Sequence, residues 1–262
     1  MIKGHKYGEV LQYDKIDNRI YWRGYTPVSR AIKKSGKIKN ASNVVYARKV
    51  RRYSKMGDLM KNIKTIVYDY GGVISKKQNK ELVNKMCKIL NIPAQQFFSF
   101  YTKERKDYDS ALIDAKTYWT KTIKLMDGQI ELKNIDKLIE FDIKSWLDIN
   151  QETIEYIKSI KDKIKLVLLS NMTIEVLEEI KNLYWTCYFD TKIFSCEEKV
   201  SKPDDEIYNI LLKKVKVEPQ HILFIDDSKA NLNAAQKMGI NILKFTDCEN
   251  MKNIIENEYV FK

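Results

Sequence analysis

Three apolar runs in this 262-residue chain stop abruptly at residues that could do chemistry. The first ends Tyr68-Asp69-Tyr70-Gly71-Gly72-Val73. The second ends Leu169-Ser170-Asn171, and the third Phe224-Ile225-Asp226-Asp227-Ser228. One strand-terminal Asp is most often a turn former or a helix cap. Several carboxylates that converge need another account, because they repel and one would stay protonated unless a cation joined them. Oxygen ligands alone point to a hard ion, and Mg²⁺ is the usual choice where a phosphate completes its octahedron. Gly71 and Gly72 let the backbone turn tightly and a ligand come close. Ser170 precedes a helix, where a hydroxyl and free N–H groups suit an anion. Lys202, followed by Pro203 as a first helical residue and then Asp204-Asp205-Glu206, has two readings. It neutralises a phosphate or a nucleophilic carboxylate, or it is a solvated loop lysine.

These residues converge only if the runs that carry them are neighbouring strands. Ile66-Val67-Tyr68, Leu166-Val167-Leu168-Leu169 and Ile222-Leu223-Phe224-Ile225 are continuously apolar, and Lys192-Ile193-Phe194 and the stretch 240–245 largely so. That suits strands buried on both faces of a parallel sheet. Helical stripes lie between them: Ile174, Leu177, Ile180 and Leu183, then Ile207, Leu211 and Val215. Such alternation predicts an α/β, doubly wound fold, whose ligands bind beyond the carboxyl ends of the strands.

About 90 residues separate the first run from the second, whereas a crossover needs only a dozen or so. Leu82, Val83, Met86, Ile89 and Leu90 form one stripe. Tyr118, Trp119, Ile123 and Met126 form another, with Asp114 as its N-cap. Residues 76–147 therefore read as an inserted helical subdomain, with the crossover helix at 150–161. Core segments are expected at 61–75 and 148–262.

The charge is lopsided. The chain holds 47 Lys+Arg and 35 Asp+Glu, a net of +12. Residues 1–55 carry 15 of the basic residues and three acidic ones, so the rest balances at 32 of each. Residues 1–60 read as a basic extension on a neutral domain. Within it, residues 8–25 fit a β-hairpin around Asp17-Asn18, and 26–42 a polar linker. Lys and Arg interleaved with Tyr7, Tyr13, Tyr21, Trp22, Tyr25, Tyr46 and Tyr53 could bind nucleic acid by charge and stacking. A solvated tail is the preferred reading. No window has transmembrane character and no apolar stretch of signal-peptide length follows Met1, so neither a membrane nor export is expected. Cys87, Cys187, Cys196 and Cys248 lack metal-ligand spacing and read as thiols in a reducing cytoplasm. Oligomeric state is not legible.

Taken in order, the polar run ends resemble the four motifs of the haloacid dehalogenase (HAD) superfamily. Tyr68 to Val73 resembles the nucleophile motif and Leu169-Ser170-Asn171 the second. Ser201-Lys202-Pro203-Asp204-Asp205-Glu206-Ile207-Tyr208 resembles the third. Phe224 to Ser228 with Asn231 and Ala234-Ala235 resembles the fourth. The insert resembles a helical C1-type cap. Its Tyr108-Asp109, Ile113-Asp114 and Tyr118-Trp119 are similar to cap segments of sugar-1-phosphate phosphatases and the epoxide-hydrolase phosphatase domain. The resemblance covers residues 63–245 and implies a Mg²⁺-dependent phosphomonoesterase acting on a small phosphorylated metabolite. Asp69 would attack phosphorus to form an aspartyl-phosphate. Asp69, the Gly71 carbonyl and Asp227 would hold Mg²⁺, with Asp226 bound directly or through water. Ser170, Asn171 and Gly72 would bind the phosphate, and Lys202 would offset the negative charge.

One position departs from the superfamily pattern. Its phosphatases usually carry a second Asp two residues after the nucleophile, where this chain has Gly71. A substrate with a good leaving group, a proton supplied by a cap residue or water, and a weakly active relative all remain compatible. A 2-haloacid dehalogenase also lacks that Asp, but needs no metal and would leave the Asp226-Asp227 pair without a task.

Overall fold

The computed structural model describes residues 11–14, 19–22, 60–126 and 132–261. The chain divides into two units, 1–59 and Met60–Lys262. In the first, β1 (Leu11–Asp14) and β2 (Arg19–Trp22) pair antiparallel, with Leu11 opposite Trp22. The expected Asp17-Asn18 turn and the 26–42 linker lie outside the described residues.

In the second unit, β3 (Lys61–Ile63) leads into β4 (Thr65–Tyr68). Five helices follow: α1 (Lys80–Leu90), α2 (Ala94–Tyr101), α3 (Arg105–Asp109), α4 (Ala115–Lys124) and α5 (Leu132–Ser145). The crossover helix α6 (Gln151–Ile160) then enters β5 (Lys165–Ser170). Beyond it come α7 (Ile174–Ile180), β6 (Thr191–Phe194), α8 (Ser195–Glu198), α9 (Asp205–Val215) and β7 (Ile222–Asp226). The chain continues through α10 (Lys229–Lys237), β8 (Asn241–Lys244), α11 (Cys248–Glu258) and β9 (Tyr259–Phe261). Among the described residues no helix is long and apolar enough to cross a membrane.

Five of these strands form one parallel sheet in the order β6-β5-β4-β7-β8. The apolar runs of the central strands β5, β4 and β7 are continuous because both faces are covered. Ile66, Tyr68, Leu166 and Leu168 pack with Ile157 of α6, Leu177 of α7 and Ile255 of α11. The alternate residues Val67, Val167, Leu169 and Phe224 pack with Leu211 of α9 and Ala235 of α10. The strand order reverses at β4, which has β5 on one side and β7 on the other. In open α/β sheets that reversal opens a crevice at the strand ends. A small parallel pair, β3 with β9, ties the two ends of this unit together.

Helices α1 to α5 have an apolar core of their own, built around Met86, Phe97, Tyr101, Tyr118, Trp119 and Leu138. The two chain segments that join them to the sheet run side by side. Ser75 and Ile149 form an antiparallel bridge, and the Lys76 N–H donates to Asp148 O at 2.7 Å. Asp114 caps α4, accepting from the Thr117 N–H at 2.7 Å.

Two local expectations are corrected. Ile174 is 47% exposed and Leu183 lies past the end of α7, so Val176 with Leu177 and Ile180 forms the buried stripe. Pro203 does not begin a helix: α9 starts at Asp205, with Asp204 as its N-cap.

Candidate active site

Asp69 is the first residue past β4. Its N–H still donates to Ile225 O at 2.9 Å, which continues the ladder, and its Oδ1 accepts from the Tyr70 N–H at 2.7 Å. The chain then closes a tight turn, with the Ser75 N–H donating to Tyr70 O at 2.8 Å. Gly72 sits at φ +73°, and a Cβ there would lie 2.5 Å from Asp227 Oδ2. Glycine is required on both counts.

Side-chain oxygens of Asp69, Asp226 and Asp227 come within 4.8 Å of one another. Asp226 is committed. It accepts from the Lys202 ammonium at 2.8 Å, the Ser228 N–H at 2.7 Å and the Asn231 amide at 3.0 Å. Half-buried Asp227 has no side-chain bond of this kind among the described residues. Lys202 is no solvated loop residue: its side chain is 1% exposed and its Nζ lies 2.8 Å from both Asp69 and Asp226. It also donates to Leu169 O at 3.0 Å. Burial pulls the ammonium's pKa down, and Asp226 and Asp69 outweigh it and raise it.

Three carboxylates facing one ammonium are short of positive charge. Burial lifts the Asp69 carboxyl to about 8; Lys202 opposes the rise, and Asp226 and Asp227 add to it. Asp227 is raised by burial first and then by Asp226. A buried, all-oxygen, electron-rich set of this kind fits a hard divalent cation. Asp69, Asp226 and Asp227 are the side chains that could hold it.

Asp69, Asn171 and Asp227 line a cavity of about 340 Å³, together with Arg105, Asp109 and Trp146 from the helical insert. Gly71 and Gly72 also face it. Ser170 stands fully buried at the end of β5, its Oγ 3.2 Å from Asn171 O. The Asn171 side chain, expected to hold phosphate oxygens, has another job. Its amide donates to Lys202 O at 2.7 Å and accepts from the Lys202 N–H at 2.8 Å.

A family model for haloacid dehalogenase-like hydrolases matches residues 63–239, well over half of the chain. The chain belongs to the haloacid dehalogenase-like hydrolases. A phosphorylated carbohydrates phosphatase of Thermotoga maritima is 36% identical to it over 90 residues, 34% of this chain and 41% of that protein. A D-ribitol-5-phosphate phosphatase of Bacteroides thetaiotaomicron is 22% identical over 196 residues, 68% of this chain and 89% of that protein. A solved HAD family enzyme from Bacteroides thetaiotaomicron superposes with a TM-score of 0.62 at 21% identity, over 74% of this chain and 99% of its own. The wild-type form of that enzyme in complex with magnesium and inorganic phosphate gives 0.55 at 23% identity, over 70% and 94%. At such identity the likeness is one of fold.

In this hydrolase Arg105, Tyr101 and Asp142 of the insert, which no motif marks, gather around Asp109. Arg105 bonds Asp109 through Nε at 2.8 Å and Asp142 through Nη1 at 2.7 Å. Its guanidinium lies 4.8 Å from the Tyr101 ring centroid and 5.2 Å from that of Tyr108. The i, i+4 spacing of Arg105 and Asp109 was a legible helical pair; the third partner, Asp142, was not.

Proposed function

We propose that this haloacid dehalogenase-like hydrolase is a Mg²⁺-dependent phosphomonoesterase acting on a small phosphorylated metabolite. The observation that carries the reading is the Asp69-Asp226-Asp227 cluster, tied to Lys202 and set at the strand-order reversal against an open cavity. Asp69 is the nucleophile. Its oxygen bonds phosphorus as the ester oxygen leaves, and water later cleaves the aspartyl-phosphate. Lys202 holds Asp69 in place and offsets negative charge beside the transferring group. Phosphate oxygens are received by the N–H groups after β5 at Asn171 and in the turn at Gly72, with the Ser170 hydroxyl beside them. Asp69, Asp227 and the Gly71 carbonyl, backed by Asp226, would hold Mg²⁺, which when bound would supply the missing positive charge and polarise the phosphoryl group. The two relatives named as phosphatases support the reaction class.

The basic residues 1–55 have no part in this chemistry. The insert forms the cavity roof and acts as the cap that selects the leaving group, and the reaction belongs to the cytoplasm. Phosphate release from a panel of phosphorylated metabolites, with and without EDTA, tests the reading. Release that EDTA abolishes is expected. Metal-independent halide release from a 2-haloacid, with no phosphate from any ester, would favour dehalogenation instead.

A further inference from the structure

With Gly71 two residues beyond Asp69, the nucleophile's own loop offers no side chain to protonate a departing alkoxide. A positioned acid is typically worth about 10²–10⁴-fold in rate. Among the residues lining the cavity, Asp109 is the one carboxyl group from the helical insert.

Three features fix its position. The Ser195 hydroxyl donates to Asp109 O at 2.6 Å and accepts from the Met172 N–H at 2.9 Å. One side chain thereby clamps the end of α3 onto the loop that brings Asn171 to the cavity. The Asp109 carboxyl is aimed by Arg105 Nε at 2.8 Å. Arg105 is also shared with Asp142, which accepts a further 2.6 Å bond from the Tyr101 hydroxyl. Two carboxylates on one guanidinium leave a surplus negative charge, and a proton can cancel it. Asp142 is sealed in, 3% exposed, while Asp109 at 13% is the one that reaches the opening.

We propose that Asp109 is the general acid and base of this site, taking the place of the side chain absent at Gly71. The proposal rests on the phosphatase reading. In the first half-reaction an Asp69 oxygen bonds phosphorus and the P–O ester bond breaks. The departing oxygen takes the Asp109 proton, giving the free alcohol, the aspartyl-phosphate and an Asp109 carboxylate. In the second, Asp109 removes a proton from water as the water oxygen bonds phosphorus. The P–O bond to Asp69 breaks, and inorganic phosphate leaves with both side chains restored. The surroundings suit a group that must do both. Burial raises the Asp109 carboxyl to about 6, with Arg105 and then Lys202 pulling down and Asp142 pushing up. Tyr118 and Tyr108, which pack on the same Arg105, have their own pKa values raised by burial.

The test compares Asp109→Asn with wild type on 4-nitrophenyl phosphate and on glycerol phosphate, with Mg²⁺ present. The aryl leaving group needs little protonation and the alkyl one needs much. The variant is expected to lose at least about 10²-fold on glycerol phosphate and less than about 10-fold on the aryl ester. The alkaline limb of its kcat/KM profile on the alkyl ester is expected to disappear. Asp142→Asn, which disturbs Arg105 without removing the donor, should slow both esters by the same factor. Equal losses in Asp109→Asn on the two esters would overturn the proposal. So would an Asp142→Asn enzyme with the same leaving-group dependence as Asp109→Asn. No phosphate release from either ester by the wild-type protein would overturn the phosphatase reading, and the Asp109 assignment with it.

Discussion

Asn171 and Lys202, 31 residues apart, are joined by a reciprocal pair of hydrogen bonds: the Asn171 amide donates to Lys202 O at 2.7 Å and accepts from the Lys202 N–H at 2.8 Å. The pair fixes the loop from which the Lys202 ammonium reaches Asp69. A net bond of this kind is worth about 0.5–1.5 kcal/mol. Asn171→Ala should therefore cost about 1–3 kcal/mol of stability by urea unfolding. Turnover should fall at least about 10-fold, since small misplacements of catalytic groups are expensive. Unchanged turnover would mean that Lys202 is held by its ion pairs alone.

The carboxylate cluster makes stability depend on pH. The folded-state carboxyl of Asp69 is raised from 3.8 to about 8, so between those values the native state holds a proton that the unfolded chain has lost. Its contribution is fully present below the unfolded value and fades as pH rises through the folded one. Metal-free protein should lose melting temperature across that window. Mg²⁺ should restore more of it near the alkaline end than near the acid end, because binding there displaces no proton. Thermal melts at several pH values, with Mg²⁺ and with EDTA, check both trends. Equal Mg²⁺ stabilisation at every pH would detach the ion from Asp69.

Gly72→Ala should damage the site in a particular way. The new Cβ would meet Asp227 Oδ2 at 2.5 Å while the backbone holds φ +73°. An L-residue in that region costs roughly 1–2 kcal/mol, and Asp227 must swing away. The apparent Mg²⁺ requirement, read from activity against Mg²⁺ concentration, should rise at least about 10-fold. An unaltered Mg²⁺ dependence would remove Asp227 from the ligand set.

Much of this was legible in the sequence because strands buried on both faces leave continuous apolar runs. The three central strands lie on such runs, and Asp69, Asn171 and Asp227 reach the cavity because parallel strands deliver their ends to one edge. What was not legible depends on partners that only the folded chain brings together. Nothing local tells that Asn171 spends its amide on Lys202, or that Arg105 serves Asp142 37 residues away. Pro203 was misread because a proline ahead of an acidic cluster looks the same whether the helix starts there or two residues later. The β3–β9 pair was invisible, since three-residue strands give no periodicity to read.

Residues 1–55 should be dispensable for catalysis on small esters. They hold the whole +12 excess, while every motif lies beyond them. A chain beginning at Met56 should fold and turn over small phosphate esters within about 2-fold of the full chain, the spread expected of independent parts. Its retention on a polyanion column should drop. Insolubility or a large loss of turnover would make the extension part of the catalytic unit.

Asp69→Asn bears most directly on the chemistry. Asn keeps the shape of the side chain, loses the attacking charge and relieves the crowded carboxylates, so the fold should survive. With folding verified by circular dichroism, phosphate release in the presence of Mg²⁺ should fall by at least about 10³-fold. Near-normal turnover by the folded Asp69→Asn protein would contradict a nucleophilic Asp69.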